Sequence, residues 1–513
     1  MAPSFNLATE PWIPCITLDG RYIELSLRDA LAQAHKLREL YDPSPLVTMA
    51  LHRLLLAVLH RVVDGPPNVP AWRELWSAAS WEAPAIDAYL GRWHGRFDLF
   101  DSDYPFYQVP PMGSDHHPVS RLAQEQASGN NPTLFDHHTS HAPEAISGAE
   151  AARRLVTTQA YALGGGVSKP FNLSDGALAR GVGVLALGDS LFETLALNLV
   201  QYGEHYPDTL GRSVGDLPAW EQDSPEEPNR SGTHPHGYLD YLTWQSRRIH
   251  LYPEGNQPLV VHCEIQQRMK LVEGILDPFK PYVRTKERGL QPLRLRADRA
   301  MWRDSDALLQ WSTQERGRRP GTLGWLAQVL RPGSGQLQGL AVFGLGADQA
   351  KALLWRRERL PLPPEYLGDE GLVEALQRAL QLADDVSRVV YSAAGRLVRE
   401  ASAERGQQVS PLAAGRGRRA EQGYWAALDA AFGTVFAELP EDRTVIDGEP
   451  LYGHVHVWSD WASDLRQAAL DAFSSAAQGF DSSGRGLQAV AVAERQLRFG
   501  LGDRLGEYLA LRA

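Results

Sequence analysis

Two glycine-rich stretches and one histidine-rich stretch hold the residues best placed for chemistry. Gly344-Leu345-Gly346-Ala347-Asp348-Gln349-Ala350-Lys351 lies in the basic segment of an otherwise acidic chain. Residues 268–359 hold 18 Lys and Arg against 9 Asp and Glu, a balance of +9, whereas the whole 513-residue chain carries −11. A positive strip on a negative body can face phosphate while the body avoids indiscriminate nucleic-acid binding. A glycine-rich turn presenting a short amide side chain in that strip suits insertion into a duplex. The plainer alternative is a hairpin turn on a solvated basic surface. Gly164-Gly165-Gly166-Val167-Ser168-Lys169-Pro170 has the outline of a phosphate loop. It lacks the Gly-Lys-Ser/Thr ending that supplies a metal ligand, which argues against nucleotide hydrolysis. Gly344 and Gly346 begin a dinucleotide fingerprint that Gln349 breaks. Asp136-His137-His138-Thr139-Ser140-His141, with Glu144 nearby, gathers imidazoles and a carboxylate as a metal site would. Its spacing matches no helical ligand pair, and Asn130-Asn131-Pro132 upstream marks a loop, so polar surface is the competing reading. Cys15 and Cys263 are too few for a zinc cluster and read as two buried, inert thiols in a reducing compartment.

These residues need a scaffold, and the chain is long enough for several domains and a large core. No run of 18 apolar residues occurs, so no membrane span is expected. The N-terminus lacks a basic flank and an apolar core, so no signal peptide is expected and a cytoplasmic setting is. Residues 1–365 are mixed. Leu46 to Val63 is a helix, with Ser44 as N-cap and Pro45 at the first helical position. Ser147-Gly148-Ala149-Glu150 is a capping-box pattern that opens a helix to about Ala162. Leu259 to Ile265 and Gln336 to Val342 read as strands. After Leu360-Pro361-Leu362-Pro363-Pro364 the composition turns helical, rich in Ala, Leu, Arg and Glu. Four amphipathic stretches, about 370–404, 418–438, 456–478 and 487–511, predict a four-helix bundle. The expected fold class is α+β: a large mixed α/β N-terminal domain over 1–365, then the bundle over 366–513.

Several ordered motifs resemble one family. They are Phe5-Asn6-Leu7-Ala8-Thr9-Glu10-Pro11-Trp12-Ile13-Pro14, Ser26-Leu27-Arg28-Asp29-Ala30 and Asp42-Pro43-Ser44-Pro45-Leu46-Val47. Tyr104-Pro105-Phe106-Tyr107-Gln108, Leu134-Phe135-Asp136-His137-His138 and Ala162-Leu163-Gly164-Gly165-Gly166 follow. Pro170-Phe171-Asn172 and Asp240-Tyr241-Leu242-Thr243-Trp244-Gln245-Ser246-Arg247-Arg248 complete the series. Each is modest alone, but their order and joint presence resemble CasA, the large subunits of the type I-E CRISPR surveillance complex Cascade.

That resemblance implies a non-enzymatic protein without a cofactor. It would recognise a protospacer-adjacent motif in double-stranded DNA, help open the duplex for R-loop formation, and recruit a helicase-nuclease. Guide RNA would read the sequence, as in RNA-guided effectors generally. By resemblance, Gly164, Gly165 and Gly166 form a glycine loop at the minor groove of the motif. Gln349 and Ala350 form a wedge beneath it. Arg268 and Lys270 are candidates for a basic finger, with Arg268 placed first. Phe135, with Asn131 and Leu134, matches the loop that docks on the CRISPR RNA 5′ handle and the neighbouring backbone subunit. The bundle would meet a small-subunit dimer. Some relatives carry a cysteine-rich zinc site, but Cys263 stands alone in that region beside Tyr252-Pro253-Glu254-Gly255-Asn256, so no metal is expected. The competing function is a cytoplasmic metal-dependent hydrolase using Asp136, His137, His138 and His141.

Overall fold

The computed structural model describes residues 3–123, 144–165, 171–204, 210–223, 229–310, 317–330, 336–348, 351–402, 411–446, 449–480 and 483–511. The chain divides into two compact units. One comprises Met1–Met301 with Gln310–Leu360, and the other Trp302–Leu309 with Pro361–Ala513.

In the first unit, the helix Pro45–Val62 begins where Ser44 and Pro45 predict. By length and composition it would span a membrane, yet 83% of it is buried in the protein. It is a core helix, and it carries Arg53 inward to an ion pair with Asp277 at 2.7 Å. Tyr241 donates its hydroxyl to the same carboxylate at 2.8 Å. Burial opposes ionisation of Asp277, but Arg53 and Lys280 together with hydrogen bonds from the Phe279 amide and Tyr241 outweigh it and keep the carboxyl below its usual range. Against this helix packs Gly148–Tyr161. Its N-cap is Ser147, whose hydroxyl accepts the Glu150 amide at 3.2 Å.

Small antiparallel sheets surround these helices. Arg247–Pro253 pairs with Leu259–Gln267, and the latter also takes the short strands His117–Pro118 and Ile146–Ser147. Gly339–Asp348 lies between Val182–Leu187 and Lys351–Leu360. Of the stretch 344–351 expected as a glycine-rich turn, Gly344 to Asp348 and Lys351 are therefore strand. Its glycines serve close packing instead: a Cβ on Gly344 would come within 3.1 Å of Leu295 and Val182. One on Gly346 would come within 2.9 Å of Leu354. A third hairpin, Tyr282–Thr285 with Gly289–Pro292, carries Arg284, Lys286 and Arg288 exposed.

The second unit is built on Glu370–Ser402, whose buried residues recur at helical spacing from Leu372 to Val398. Pro411–Ala426, Val455–Ala477 and Gly484–Ala510 pack against it. The expected helix 418–438 is two helices, Pro411–Ala426 and Asp429–Glu438, so one rod of the four is broken. A hairpin, Arg443–Ile446 with Glu449–Tyr452, adds a strand pair that the sequence reading lacks. Trp302–Leu309 also belongs here, not to the preceding unit. Trp302 stacks on Phe432 with centroids 4.4 Å apart and donates its indole N–H to Asp429 at 2.6 Å. Arg303 lies over the Trp425 ring at 3.5 Å. No local signal marks that excursion, because aromatic stacking across more than a hundred residues leaves no trace in sequence spacing.

Candidate functional site

The helix Gly148–Tyr161 ends just before Gly164 and Gly165, and the chain then meets residues 173–178. The Gly165 amide donates to the Leu173 carbonyl at 2.9 Å. The Gly164 amide donates to Asp175 Oδ1 at 2.6 Å, while Asp175 Oδ2 holds Arg180 Nε at 3.0 Å. Gly165 has φ +99°, which L side chains rarely adopt. A Cβ on Gly164 would come within 2.8 Å of the Asp175 amide nitrogen. Both glycines are thus required by the backbone itself. Even a small side chain at either would shift the loop as well as narrow any approach to a ligand.

This loop forms one wall of a cleft of about 730 Å³. Lys270, Arg180, Lys280 and Glu273 also line it. Lys280 is buried, and its ammonium donates to the Ala177 and Arg180 carbonyls at 2.6 Å each. Burial pushes that ammonium down to about 8, against the attraction of Asp277. Tyr282 and Pro292, at the base of the exposed basic hairpin, also line the cleft. The site therefore presents glycine backbone without Cβ atoms and a reachable ammonium, with a cationic hairpin at its edge. Such a set suits a polyanion with a groove.

Lys270 and Arg268 exchange rank. Lys270 is half-buried and lines the cleft, whereas Arg268 is only 6% exposed, with its backbone amide on the Ser246 carbonyl. A side chain that is to meet a ligand has to reach solvent, and of the two only Lys270 reaches the cleft. Alternation explains the exchange: residues two apart share a face only while the strand lasts, and Leu259–Gln267 ends before Arg268.

The basic segment also divides by use. Glu39 pairs with both Arg357 and Arg359, and Arg356 pairs with Glu358 at 2.6 Å. Arg356 further donates to the Arg299 carbonyl at 2.6 Å and the Arg296 carbonyl at 3.2 Å, holding that segment along the strand Lys351–Leu360. Arg294, Arg296 and Lys351 remain exposed, Arg296 beside Asp298 at 3.2 Å.

Other expected residues lie outside the described ones: Gly166, Gln349, Ala350, Asn131, Leu134 and Phe135, and the metal-site candidates Asp136, His137, His138 and His141. The strands on either side of 349–350 pair as far as Asp348 with Lys351. Among the described residues no group of three or more His, Cys, Asp or Glu could hold a metal ion. Cys15 and Cys263 are buried and unpaired, and burial pushes both thiols up to about 12. Sequence reasoning missed Asp175, Arg180 and Lys280, which join the cleft from separate stretches of chain. Lys280 was counted only as part of the positive strip.

The fold has counterparts in known proteins. A family model, CRISPR-associated protein Cse1, matches residues 6–472. The CRISPR-associated protein CasA/Cse1 of Thermus thermophilus is 33% identical, over 98% of each chain. The crystal structure of Thermobifida fusca Cse1 superposes with a TM-score of 0.81 at 26% identity, covering 98% of this chain and 99% of that one. A chain of a CRISPR RNA-guided surveillance complex shares the fold, with a TM-score of 0.79 at 23% identity over 97% of this chain and 100% of that one. With the family model spanning most of its length, this chain belongs to the CRISPR-associated Cse1 (CasA) family.

Proposed function

We propose that the chain is the non-catalytic large subunit of a CRISPR RNA-guided DNA surveillance complex. In this reading it finds a protospacer-adjacent motif in double-stranded DNA, helps open the duplex beside it, and recruits the helicase-nuclease. The CRISPR RNA and the complex's backbone subunit would be met at the guide 5′ end, and the small-subunit dimer by the helical unit. The observation that carries the reading is the cleft, where the Gly164–Gly165 backbone and Lys270 share one space beside a basic hairpin.

The physics of that space favours a minor groove. A B-form minor groove is about 6 Å wide, so backbone without Cβ atoms enters where side chains would collide. An ammonium on a flexible stem can follow the groove floor and accept its negative potential. Arg284, Lys286, Arg288, Arg294 and Arg296 lie exposed on the following stretch of chain, available to phosphate. Base-by-base matching is then left to the guide. Membership in the Cse1 family leaves the metal-dependent hydrolase without a supporting observation.

The test is reconstitution with the other subunits and guide RNA, followed by target binding with and without this chain. Lys270→Ala should lower affinity for duplexes bearing the motif by about 10-fold, the worth of one charge-assisted hydrogen bond. Affinity for motif-free duplex should change far less. Equal losses on both duplexes would reduce Lys270 to a general phosphate contact and refute its place in motif reading.

A further inference from the structure

We propose that Arg247 and Gln267 are positioning residues that set the separation between the Gly164–Gly165 backbone and Lys270, and so the sharpness with which the motif is read. This rests on the reading of the cleft given above. Arg247 and Gln267 face each other in register at the open end of the hairpin formed by Arg247–Pro253 and Leu259–Gln267. Arg247 is 1% exposed and Gln267 0%.

The guanidinium of Arg247 donates to the Leu163 carbonyl at 3.0 Å, one residue before the glycines. It also donates to the Ser246 carbonyl at 3.1 Å and to Gln267 Oε1 at 3.3 Å. These partners are neutral oxygens, and burial pushes the guanidinium down to about 10 against the pull of Asp175. Removing a cation from water is costly unless its donors are well satisfied. Here the fold retains one directly behind the glycine loop, where it substitutes for water on the loop's carbonyl.

Gln267 joins the two walls. Its Oε1 accepts the Ser174 amide at 2.7 Å, and its Nε2 donates to Ser174 Oγ at 2.9 Å. Ser174 precedes Asp175, which holds the Gly164 amide. The same Nε2 donates to the Met269 carbonyl at 3.1 Å, next to Lys270. One planar amide therefore spans from the base of the glycine loop to the backbone that carries Lys270. Gln159 closes the set, accepting the Arg247 amide at 2.8 Å and donating to its carbonyl at 3.0 Å. The last turns of the helix Gly148–Tyr161 thereby lock the hairpin end. Neither Arg247 nor Gln267 lines the cleft, so each acts through the groups it holds.

The experiment uses the reconstituted complex and two readouts on Arg247→Met and Gln267→Leu. Amide exchange is followed at Gly164 and Gly165, with Val184 in the core strand Val182–Leu187 as internal reference. Binding is measured on motif-bearing and motif-free duplexes. The proposal expects exchange at the two glycines to rise at least about 10-fold with Val184 unchanged, since the loop loses its hydrogen bonds at Leu163 and Ser174 while the strand Val182–Leu187 loses none. Motif discrimination should fall by a similar factor while motif-free binding holds. Arg247→Lys, which keeps one donor to the Leu163 carbonyl, should recover part of both. If glycine exchange rises and discrimination stays intact, the glycine loop does not read the motif, and the claim of sharpness is overturned with it. Glycine exchange that stays unchanged, or rises in step with Val184, overturns the positioning role. Should Arg247→Met fail to fold, Gln267→Leu and Arg247→Lys carry the same measurements.

Discussion

His60 provides a sharp test of the buried core. It is 0% exposed near the end of the helix Pro45–Val62, with its ring edge-on to Tyr202 and Tyr238 at centroid distances of 5.6 and 5.1 Å. Among the described residues neither ring nitrogen has a hydrogen-bond partner, and burial pushes its pKa down from 6.5 to about 3. Below pH 6.5 the unfolded chain takes up a proton that the folded chain refuses, so stability falls as pH falls, until the folded ring also titrates. From pH 8 to pH 5 the loss from this residue is about 2 kcal/mol, from 1.36 kcal/mol per pKa unit over the 1.5 units below 6.5. That figure barely depends on the exact folded pKa, provided the ring is still neutral at pH 5. The perturbation is His60→Leu. The variant carries a fixed cost at every pH for the missing ring packing, which cancels when the two pH values are compared. Urea unfolding of parent and variant at both pH values gives the difference of differences, and the variant should keep about 2 kcal/mol more of its pH 8 stability at pH 5. His52, pushed down to about 4 by burial, adds acid sensitivity of the same sign to both proteins and also cancels. Parallel losses in parent and variant would show that His60 protonates in the folded state, and the picture of a sealed helix face would be wrong.

Three further outcomes follow from the site. Lys280→Met should remove a rise in stability of about 2 kcal/mol between pH 7.5 and 9.5, because the buried ammonium sheds its proton near pH 8 while the unfolded one keeps it; unfolding at the two pH values checks this, and an unchanged pH slope refutes it. Charge reversal at Arg294 and Arg296, both exposed, should weaken DNA binding on all sequences and lower the salt slope by about one for each phosphate no longer neutralised, read from affinity across a salt series. Gln349→Ala should slow duplex opening, read with a fluorescent base analogue at the first protospacer position, and a premade bubble should rescue it. Unstacking a step costs a few kcal/mol, which an amide that can hydrogen-bond exposed base edges offsets and alanine cannot; equal opening rates on closed duplex would count against a wedge.

The sequence determined whatever short stretches can carry. Pro45 at the first helical position marked the start of the core helix, and the Ser147 cap the start of the next, because both signals act within one turn. Amphipathic spacing placed the long helices of the second unit, although it ran across the break at Ala427–Leu428. Motif order sufficed to reveal the family. Charge was legible only as a sum. Which cations are paired was decided by partners distant in sequence: Glu39 takes Arg357 and Arg359, while Lys280 turns inward to two carbonyls. The rank of Arg268 and Lys270 turned on where a strand ends and which residue then faces the cleft. Gly344 and Gly346 looked like a turn because glycine permits one, yet the close approach of Leu295 and Leu354 keeps them in a strand. The cleft itself draws on residues from Gly164 to Pro292, with Arg247 and Gln267 behind it. Only folding brings these together, because burial and hydrogen-bond pairing depend on neighbours in space, while propensity and capping depend on neighbours in sequence.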